Sequence, residues 1–227
     1  MSRIFYSVLT LGIWLLGTVL LVAQDRVEVT PTFRFKDGIY LNLEDFQSNT
    51  PGLAWDQFEK ALVINPETLL SQVDYIRYKN SKERLDLSKI WGFSVDGLPF
   101  VRIPKDSIYK TLESFAGLRL AGKICYYSFE SREERSYEIA AYNPLNGQPF
   151  RQATVSRSVN VFKEKIFLFE DGNALNFNRK HLEPFIKDDP ELLGVLADLD
   201  VSDPEYQEKL FRLLMAYNRR HSIYFRQ

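Results

Sequence analysis

Residues 90–103 read Ile90-Trp91-Gly92-Phe93-Ser94-Val95-Asp96-Gly97-Leu98-Pro99-Phe100-Val101-Arg102-Ile103. Two apolar, β-favouring runs flank Asp96-Gly97, a dipeptide that readily takes the positive φ angles of a tight two-residue turn. The stretch therefore predicts a β-hairpin. Because side chains alternate between the two faces of a strand, Trp91, Phe93 and Val95 are expected on one face.

Three further pairs of the same kind punctuate the chain: Asp37-Gly38, Asn146-Gly147 and Asp171-Gly172. The first is predicted to join a strand at 32–35 to one at 39–41. The last is predicted to join 165–169 to 174–177. Hairpins of this kind build an antiparallel sheet from local pairs of strands.

Two longer strands are predicted in the middle of the chain, at 118–129 and 137–142. Both are rich in β-branched and aromatic residues. The segment 131–135 between them, in which four of five residues are charged, is expected to form the turn.

A second device occurs three times, an Asx residue followed by Pro and Glu: Asn65-Pro66-Glu67, Asp189-Pro190-Glu191 and Asp203-Pro204-Glu205. The Asx side chain can accept a free amide, Pro fits a first helical turn, and Glu complements the helix dipole. Each predicts a helix start, and Ser202 and Glu205 are also spaced for a capping box. Apolar residues at helical spacing follow: Leu69, Val73 and Ile76; Leu192, Val195, Leu196 and Leu199; Leu210, Leu213, Leu214 and Tyr217.

These signals together predict an α+β fold. It consists of an antiparallel sheet of local β-hairpins with several short-to-medium helices, one after residue 50, one after residue 65 and two at the C-terminus. No proline-rich linker, low-complexity tract or long repeat divides the sequence. We therefore expect a single domain over residues 24–227.

The first 23 residues have the pattern of a secretory signal peptide. Arg3 is followed by 19 uncharged residues, 4–22, and small Ala23 precedes Gln24. The pattern predicts cleavage between Ala23 and Gln24 and an exported protein, periplasmic or extracellular. The residue directly after the cut is Gln24 rather than a cysteine, so a lipoprotein is not expected. The alternative is an uncleaved anchor, since a bilayer span needs roughly 17–25 apolar residues; membrane contact is expected only through this segment.

The composition argues against a nucleic-acid partner and against a disulfide bond within the chain. The formal net charge is −1 at pH 7 and the charges are interspersed, so no basic patch suggests a nucleic-acid partner. Cys125 is the only cysteine, which makes an intrachain disulfide impossible. It lies among residues of strand type and is expected to be a small buried hydrophobic group.

The sequence does not match the usual motifs of catalytic or metal-binding sites. His181 and His221 are the only histidines, and His181-Leu182-Glu183 lacks the Cys-x-x-Cys pair that zinc deaminases require. His181 is expected to lead into the segment that follows it, and His221 to be a cation at a helix C-terminus. Residues 198–203 imitate the first half of a calcium loop but lack its Gly and its bidentate Glu. Serine-nucleophile, dinucleotide and P-loop motifs do not occur, so no cofactor and no metal is expected.

Two weaker groupings remain. Glu44, Asp45, Asp56 and Glu59 lie near one another in sequence and near two aromatic residues, as a glycosidase would need. With 30 acidic residues in the chain, such neighbours also arise by chance. The tyrosines of the central strands are the second grouping: Tyr126, Tyr127, Tyr137 and Tyr142. They indicate either a sheet packed by rings on one face or an exposed platform for a sugar or peptide.

Four stretches carry a family resemblance: residues 37–51 (Gly-x-Tyr, an acidic pair, Phe, then Asn-x-Pro), Ile90-Trp91-Gly92-Phe93, the helix start at 189–193, and Tyr217-Asn218. In these the chain resembles a group of uncharacterised exported bacterial proteins. The resemblance implies a periplasmic or envelope-facing protein of a Gram-negative-type bacterium and transfers no activity.

The function that the sequence favours is a non-catalytic binding or interaction module with an unknown protein or glycan partner in the cell envelope. The alternative is a carboxylate-dependent hydrolase acting on envelope or dietary glycans, with Glu44 and Asp45 as candidate acids.

Overall fold

The computed structural model describes residues 26–30, 32–104, 112–142, 145, 147 and 149–226. The predicted signal peptide and its Ala23/Gln24 cleavage site lie outside these residues. The strands are β1 (Arg26–Glu28), β2 (Gly38–Tyr40), β3 (Phe58–Ile64), β4 (Leu70–Tyr78), β5 (Gly92–Val95), β6 (Leu98–Arg102), β7 (Glu113–Leu120), β8 (Ile124–Tyr142), β9 (Pro149–Leu168), β10 (Leu175–Asn176) and β11 (Tyr224–Arg226). The α-helices are α1 (Leu43–Gln47), α2 (Arg179–Leu182), α3 (Pro190–Asp198) and α4 (Tyr206–Arg220). Single 3-10 turns lie at Trp55–Gln57, Leu87–Lys89 and Glu183–Phe185.

Nine of these strands form one curled antiparallel sheet in the order β10-β9-β8-β7-β6-β5-β2, to which β4 adds beside β7 and β3 beside β4. The remaining two, β1 and β11, pair with each other and bring the two ends of the described chain together. The predicted fold class, α+β with an antiparallel sheet and two C-terminal helices, is confirmed.

The sheet divides at β7. One edge of β7 pairs with β6, while the other pairs with β4 over residues 113–116 and with β8 over residues 118–120. The register shifts between Leu118 and Leu120, so Arg119 lies at an irregularity where the two branches separate. Its guanidinium donates to Ser128 Oγ at 2.7 Å on one branch and to the carbonyls of Glu67 and Thr68 beside the other.

The hairpin at 90–103 is confirmed. Asp96 and Gly97 have φ of 53° and 75°, the two positive values of a type I′ turn, and Phe93 lies opposite Phe100. The shared face for Trp91, Phe93 and Val95 is wrong. Trp91 precedes β5 and stacks on Phe46 with centroids 4.4 Å apart, whereas Phe93 packs in a different cluster.

The hairpin predicted at Asp37-Gly38 is wrong, because β2 pairs with β5 rather than with residues 32–35. The carboxylate of Asp37 instead accepts hydrogen bonds from the backbone N–H groups of Asp96 and Gly97 and from the Ser94 hydroxyl. Gly38 has a φ of 153°, and a Cβ on it would lie 2.5 Å from Pro51. The Asp37 carboxylate therefore stabilises the turn of the β5–β6 hairpin, and the Asp37-Gly38 pair forms no hairpin of its own.

The hairpin at Asp171-Gly172 is confirmed: Gly172 has a φ of 72° and Leu175 lies opposite Ile166. The charged turn predicted at 131–135 is wrong, because β8 continues through those residues to Tyr142. The single strand predicted at 118–129 is in fact the end of β7, a turn and the start of β8. Asn218 of α4 fixes that turn, since its side-chain amide bonds both the N–H and the carbonyl of Ile124.

The helix prediction holds at the C-terminus and fails earlier in the chain. Asp189 caps α3 by accepting the Leu192 N–H, and α4 follows the Asp203 signal. The expected Ser202–Glu205 capping box is absent among the described contacts, because the Ser202 hydroxyl donates to Asp200. The helix after residue 50 is only the 3-10 turn Trp55–Gln57. The helix after residue 65 is wrong: Asn65 Oδ1 accepts the N–H groups of Glu67 and Thr68, which closes a turn into β4.

Three hydrophobic clusters form the core. An aromatic cluster around Phe46, Tyr127 and Phe167 draws its residues mainly from α1, β2 and β6–β9. A second lies between α3, α4 and the opposite face of β8 and β9. A third, around Phe93 and Phe115, packs under β3 and β4. The described part of the chain contains no helix with the length and apolar character needed to span a bilayer.

Candidate functional site: an amphipathic β-arm

The four candidate carboxylates have separate environments. Asp45 Oδ2 accepts the N–H of Leu41 at 2.8 Å, and Glu59 makes an ion pair with Arg77 at 2.5 Å. Glu44 lies in the first turn of α1, and Asp56 is exposed in a 3-10 turn. None of the four lines the three cavities described below. No observation of the described residues favours the hydrolase, which stays a prediction.

The two histidines lie where the sequence placed them. His181 is in α2, where its Nδ1 is 3.0 Å from the carbonyl oxygen of Asn176. His221 is the C-cap of α4 and stacks on Tyr217, with Asp188 and Asp189 nearby. Residues 198–203 form a polar connection in which Asp200 binds Ser202, and Asp203 binds Lys209. Across the described ranges, no three His, Cys, Asp or Glu side chains are grouped as a metal would need.

The four tyrosines do not form one platform. Tyr126 and Tyr127 are both buried, and because they are consecutive on β8 they point into different clusters. Tyr137 and Tyr142 are exposed, farther along the same strand. The expectation of a single aromatic face is therefore wrong. Tyr137 and Tyr142 lie on a part of β8 that extends beyond the core.

That part of β8, together with β9, forms the feature that we call the arm: residues 130–142 and 149–162. The two strands pair in continuous register from Glu130 opposite Phe162 to Ala141 opposite Arg151. At about 3.3 Å per residue, the arm is roughly 40 Å long. None of the apolar arm side chains that the structure describes belongs to the three core clusters or is among the partly buried residues that pack against them.

One face of the arm carries most of its apolar side chains, and we call it the apolar face. Residues directly opposite share a face, and on one face these pairs are Ser131–Val161, Glu133–Val159, Arg135–Arg157, Tyr137–Val155 and Ile139–Ala153. Tyr137 is 43% exposed and Ile139 51% exposed. In the body of the protein, this face continues into Phe129, Tyr127 and Cys125 of the aromatic cluster. The apolar face is thus an extension of the core surface that the described part of the chain leaves open.

The other face of the arm is polar. Its opposite pairs include Arg132–Asn160, Glu134–Ser158, Ser136–Ser156 and Glu138–Thr154. Arg132 Nε donates to Asn160 Oδ1 at 3.0 Å, and the hydroxyl oxygens of Ser136 and Ser156 are 3.2 Å apart. Phe162, 58% exposed, is the exception at the base of this face. The polar face is therefore suited to water and the apolar face to a partner.

An arginine pair interrupts the apolar face. Arg135 and Arg157 lie directly opposite each other, and neither makes an ion pair or side-chain hydrogen bond with any described residue. The nearby Glu133 is engaged by Lys163 Nζ at 3.0 Å. Like charges directly opposite on two strands are unfavourable. The pair leaves two cationic groups available at the centre of an apolar surface.

The cavities are less convincing as sites. Of three cavities lined by described residues, the largest is a shallow groove of about 540 Å³ beside β1 and β11, whose lining includes Arg26, Gln47, Glu170 and Ser222. Two of its polar groups are already engaged: the Gln47 amide donates to the carbonyls of Phe169 and Glu170, and Ser222 donates to Glu28. A smaller cavity of about 150 Å³ adjoins it, and one of about 10 Å³ lies at the base of the arm.

The sequence-based predictions did not include the β9 strand of the arm. They named no strand between residues 149 and 162, although Val155, Val159 and Val161 recur at even spacings. That alternation was the available signal. The opposition of Arg135 and Arg157 had no local signal, because it depends on the register across a loop.

Comparison of the chain with known protein families, curated proteins and solved structures finds no match.

Proposed function

We propose that this protein is an exported, non-catalytic interaction module of the cell envelope and that it engages a macromolecular partner through the apolar face of the arm. The observation that carries the proposal is a run of apolar side chains on one face that lie outside all three core clusters: Tyr137 and Ile139 are exposed, and Val155, Val159 and Val161 are partly buried.

The arm is poorly suited to stand alone. An isolated two-stranded hairpin is marginally stable in water, and three strands or packing against another element are usually needed. Contiguous exposed apolar patches of this kind mark interaction sites. Covering the exposed part of each apolar side chain would contribute roughly 1 kcal/mol. A bound partner therefore supplies the packing that the two-stranded arm lacks in the described structure.

The test uses the full chain and two triple variants. Ile139→Thr, Val155→Thr and Val159→Thr together keep β-branching and remove apolar area from the face. The matched control, Ser136→Thr, Thr154→Ser and Ser156→Thr, changes the polar face of the same segment. Each form is used as bait with extracts of the producing cells, and bound species are compared by mass spectrometry.

We expect one reproducible partner that the wild type and the polar-face variant retain and the apolar-face variant loses. Both variants should keep the unfolding free energy within about 0.5 kcal/mol per substitution, because the altered side chains lie on the surface. Equal retention of every bound species by both variants would refute the proposal.

A further inference from the structure

The two edges of the arm differ in their protection against a further strand. The described ladders pair β8 with β7 only at Tyr126 and Tyr127, and β9 with β10 only at Lys165 and Ile166. The outer edges of the arm thus carry no described partner strand. Residues 130–139 of β8 contain six charged residues, whereas residues 152–162 of β9 contain only Arg157. Charged residues are the usual protection of an exposed edge, so the β9 edge is the one open to pairing.

The free edges also select the kind of partner. An exposed strand edge carries unpaired backbone N–H and carbonyl groups, which are costly to place in the hydrocarbon of a membrane. An extended peptide satisfies the same groups by adding a strand. The backbone of the arm therefore favours a protein segment over a lipid surface.

The arginine pair selects the chemistry of that segment. A strand added beside β9 would place one residue directly opposite Arg157 and its neighbours two positions away opposite Val155 and Val159, on the same face. A carboxylate at the central position would lie within reach of both Arg157 and Arg135 and would relieve their mutual repulsion. Apolar side chains two residues to either side would cover the two valines.

We propose that the occupant of the arm is an extended segment of a partner protein that adds to the β9 edge and carries the pattern apolar-x-acidic-x-apolar, with its acidic side chain on Arg135 and Arg157. The inference rests on the proposed function and deepens it by naming the partner's chemistry.

The probe is a phage-displayed library of random 12-residue peptides, panned against the full chain. The variant Arg135→Ser with Arg157→Ser removes the cationic pair, and Arg132→Ser on the polar face is its matched control. Enriched peptides are synthesised, their Kd values are measured for all three proteins, and amide exchange of β8 and β9 is followed with and without peptide.

We expect enriched sequences with Asp or Glu flanked by apolar residues at two-residue spacing. The Kd should rise about tenfold or more in the double variant, which corresponds to the loss of one charge-assisted contact, and stay within about twofold in Arg132→Ser. Amides of 152–162 should become protected. Peptides without an acidic residue, equal Kd values in the double variant and the control, or protection confined to β8 would overturn the inference.

The same proteins also distinguish the proposed peptide segment from two other occupants, a membrane and a second copy of the chain. Binding to vesicles with 30% phosphatidylglycerol that the arginine double variant abolishes would replace the segment with a membrane. Concentration-dependent dimers that protect 152–162 without peptide would replace it with a second copy. If the apolar-face variant loses its cellular partner but no acidic peptide is enriched, only this inference fails. If that variant keeps every partner, the proposed function itself fails.

Discussion

Arg119 Nε donates a 2.7 Å hydrogen bond to the hydroxyl of Ser128, a residue that is 1% exposed. The same guanidinium donates to the carbonyls of Glu67 and Thr68. Because β4 and β8 leave β7 on the same edge, this one side chain joins the two branches where the sheet divides.

We expect Arg119→Met to lower the unfolding free energy by about 1–3 kcal/mol, since it removes three hydrogen bonds and takes from the buried Ser128 hydroxyl its guanidinium donor. Urea denaturation measures the change. Arg132→Met is the control, because Arg132 makes a single hydrogen bond on the exposed arm and should cost less than about 0.5 kcal/mol. A loss no larger than in the control would mean that the branches hold together without Arg119.

Asp37 supports a second prediction. Its carboxylate accepts hydrogen bonds from the N–H groups of Asp96 and Gly97 and from the Ser94 hydroxyl, at 2.8–3.1 Å. Asp37→Ala should cost about 1–2 kcal/mol in unfolding free energy, because the turn amides lose their acceptor. Asp37→Asn, which retains one acceptor oxygen, should cost less. Asp56→Ala removes an exposed carboxylate as the control, and equal effects at positions 37 and 56 would contradict this role.

The two Asp-Gly pairs joined by this contact show what local sequence can predict. Asp96-Gly97 forms its turn from its own two positive φ angles, so the neighbouring residues suffice to predict it. Asp37-Gly38 has an equally good local signal, but its carboxylate binds a turn 60 residues away. The residues next to an Asp-Gly pair therefore do not show whether the pair forms its own turn or binds a distant one.

The same limit applies to the helices and to the arm. Asp189 and Asn65 carry the same Asx-Pro-Glu signal, yet Asn65 closes a hairpin because β4 finds pairing partners in β3 and β7. Among the candidate carboxylates, Asp45 accepts the Leu41 N–H and Glu59 pairs with Arg77, and spacing along the chain does not predict either contact. The apolar face of the arm was readable from the alternating valines, but which residues oppose them was not.

Asp188 gives a pH prediction. Hydrogen bonds from the Lys123 ammonium and then from the Tyr217 hydroxyl lower the pKa of the Asp188 carboxyl to about 2. A lowered pKa in the folded state stabilises the protein above the ordinary value of 3.8, and this contribution is lost as the pH falls from there through about 2. Since the side chain is 44% exposed, solvent screening should hold the contribution to about 1 kcal/mol or less.

Asp188→Asn should therefore lower the unfolding free energy at pH 6 and make it less dependent on pH between 4 and 2. Asp56→Asn makes the same charge change at an exposed residue and serves as the control. Denaturation curves at pH 6, 4, 3 and 2 measure both variants. If the wild type and Asp188→Asn lost stability in parallel over that range, the contacts to Lys123 and Tyr217 would not govern the acid response.

Cys125 supplies the last prediction, which also separates motion of the arm from opening of the core. The thiol is fully buried in the aromatic cluster, and burial raises its pKa to about 12. Alkylation requires an accessible thiolate, so the native protein should react with iodoacetamide at pH 8 only through opening of the core. The rate should rise with urea in step with unfolding, and the absence of a second cysteine makes the signal unambiguous.

The arm begins five residues beyond Cys125 on β8, so fraying of the arm should not expose the thiol. Amide exchange in 130–142 and 152–162 should accordingly be fast under conditions in which Cys125 remains unlabelled for hours, because only two strands protect those amides. A bound partner strand would slow exchange in the arm and leave the alkylation rate unchanged. Rapid labelling of Cys125 without urea, or labelling that follows arm exchange, would show that the aromatic cluster opens together with the arm, and the arm would then be part of the core's cooperative unit.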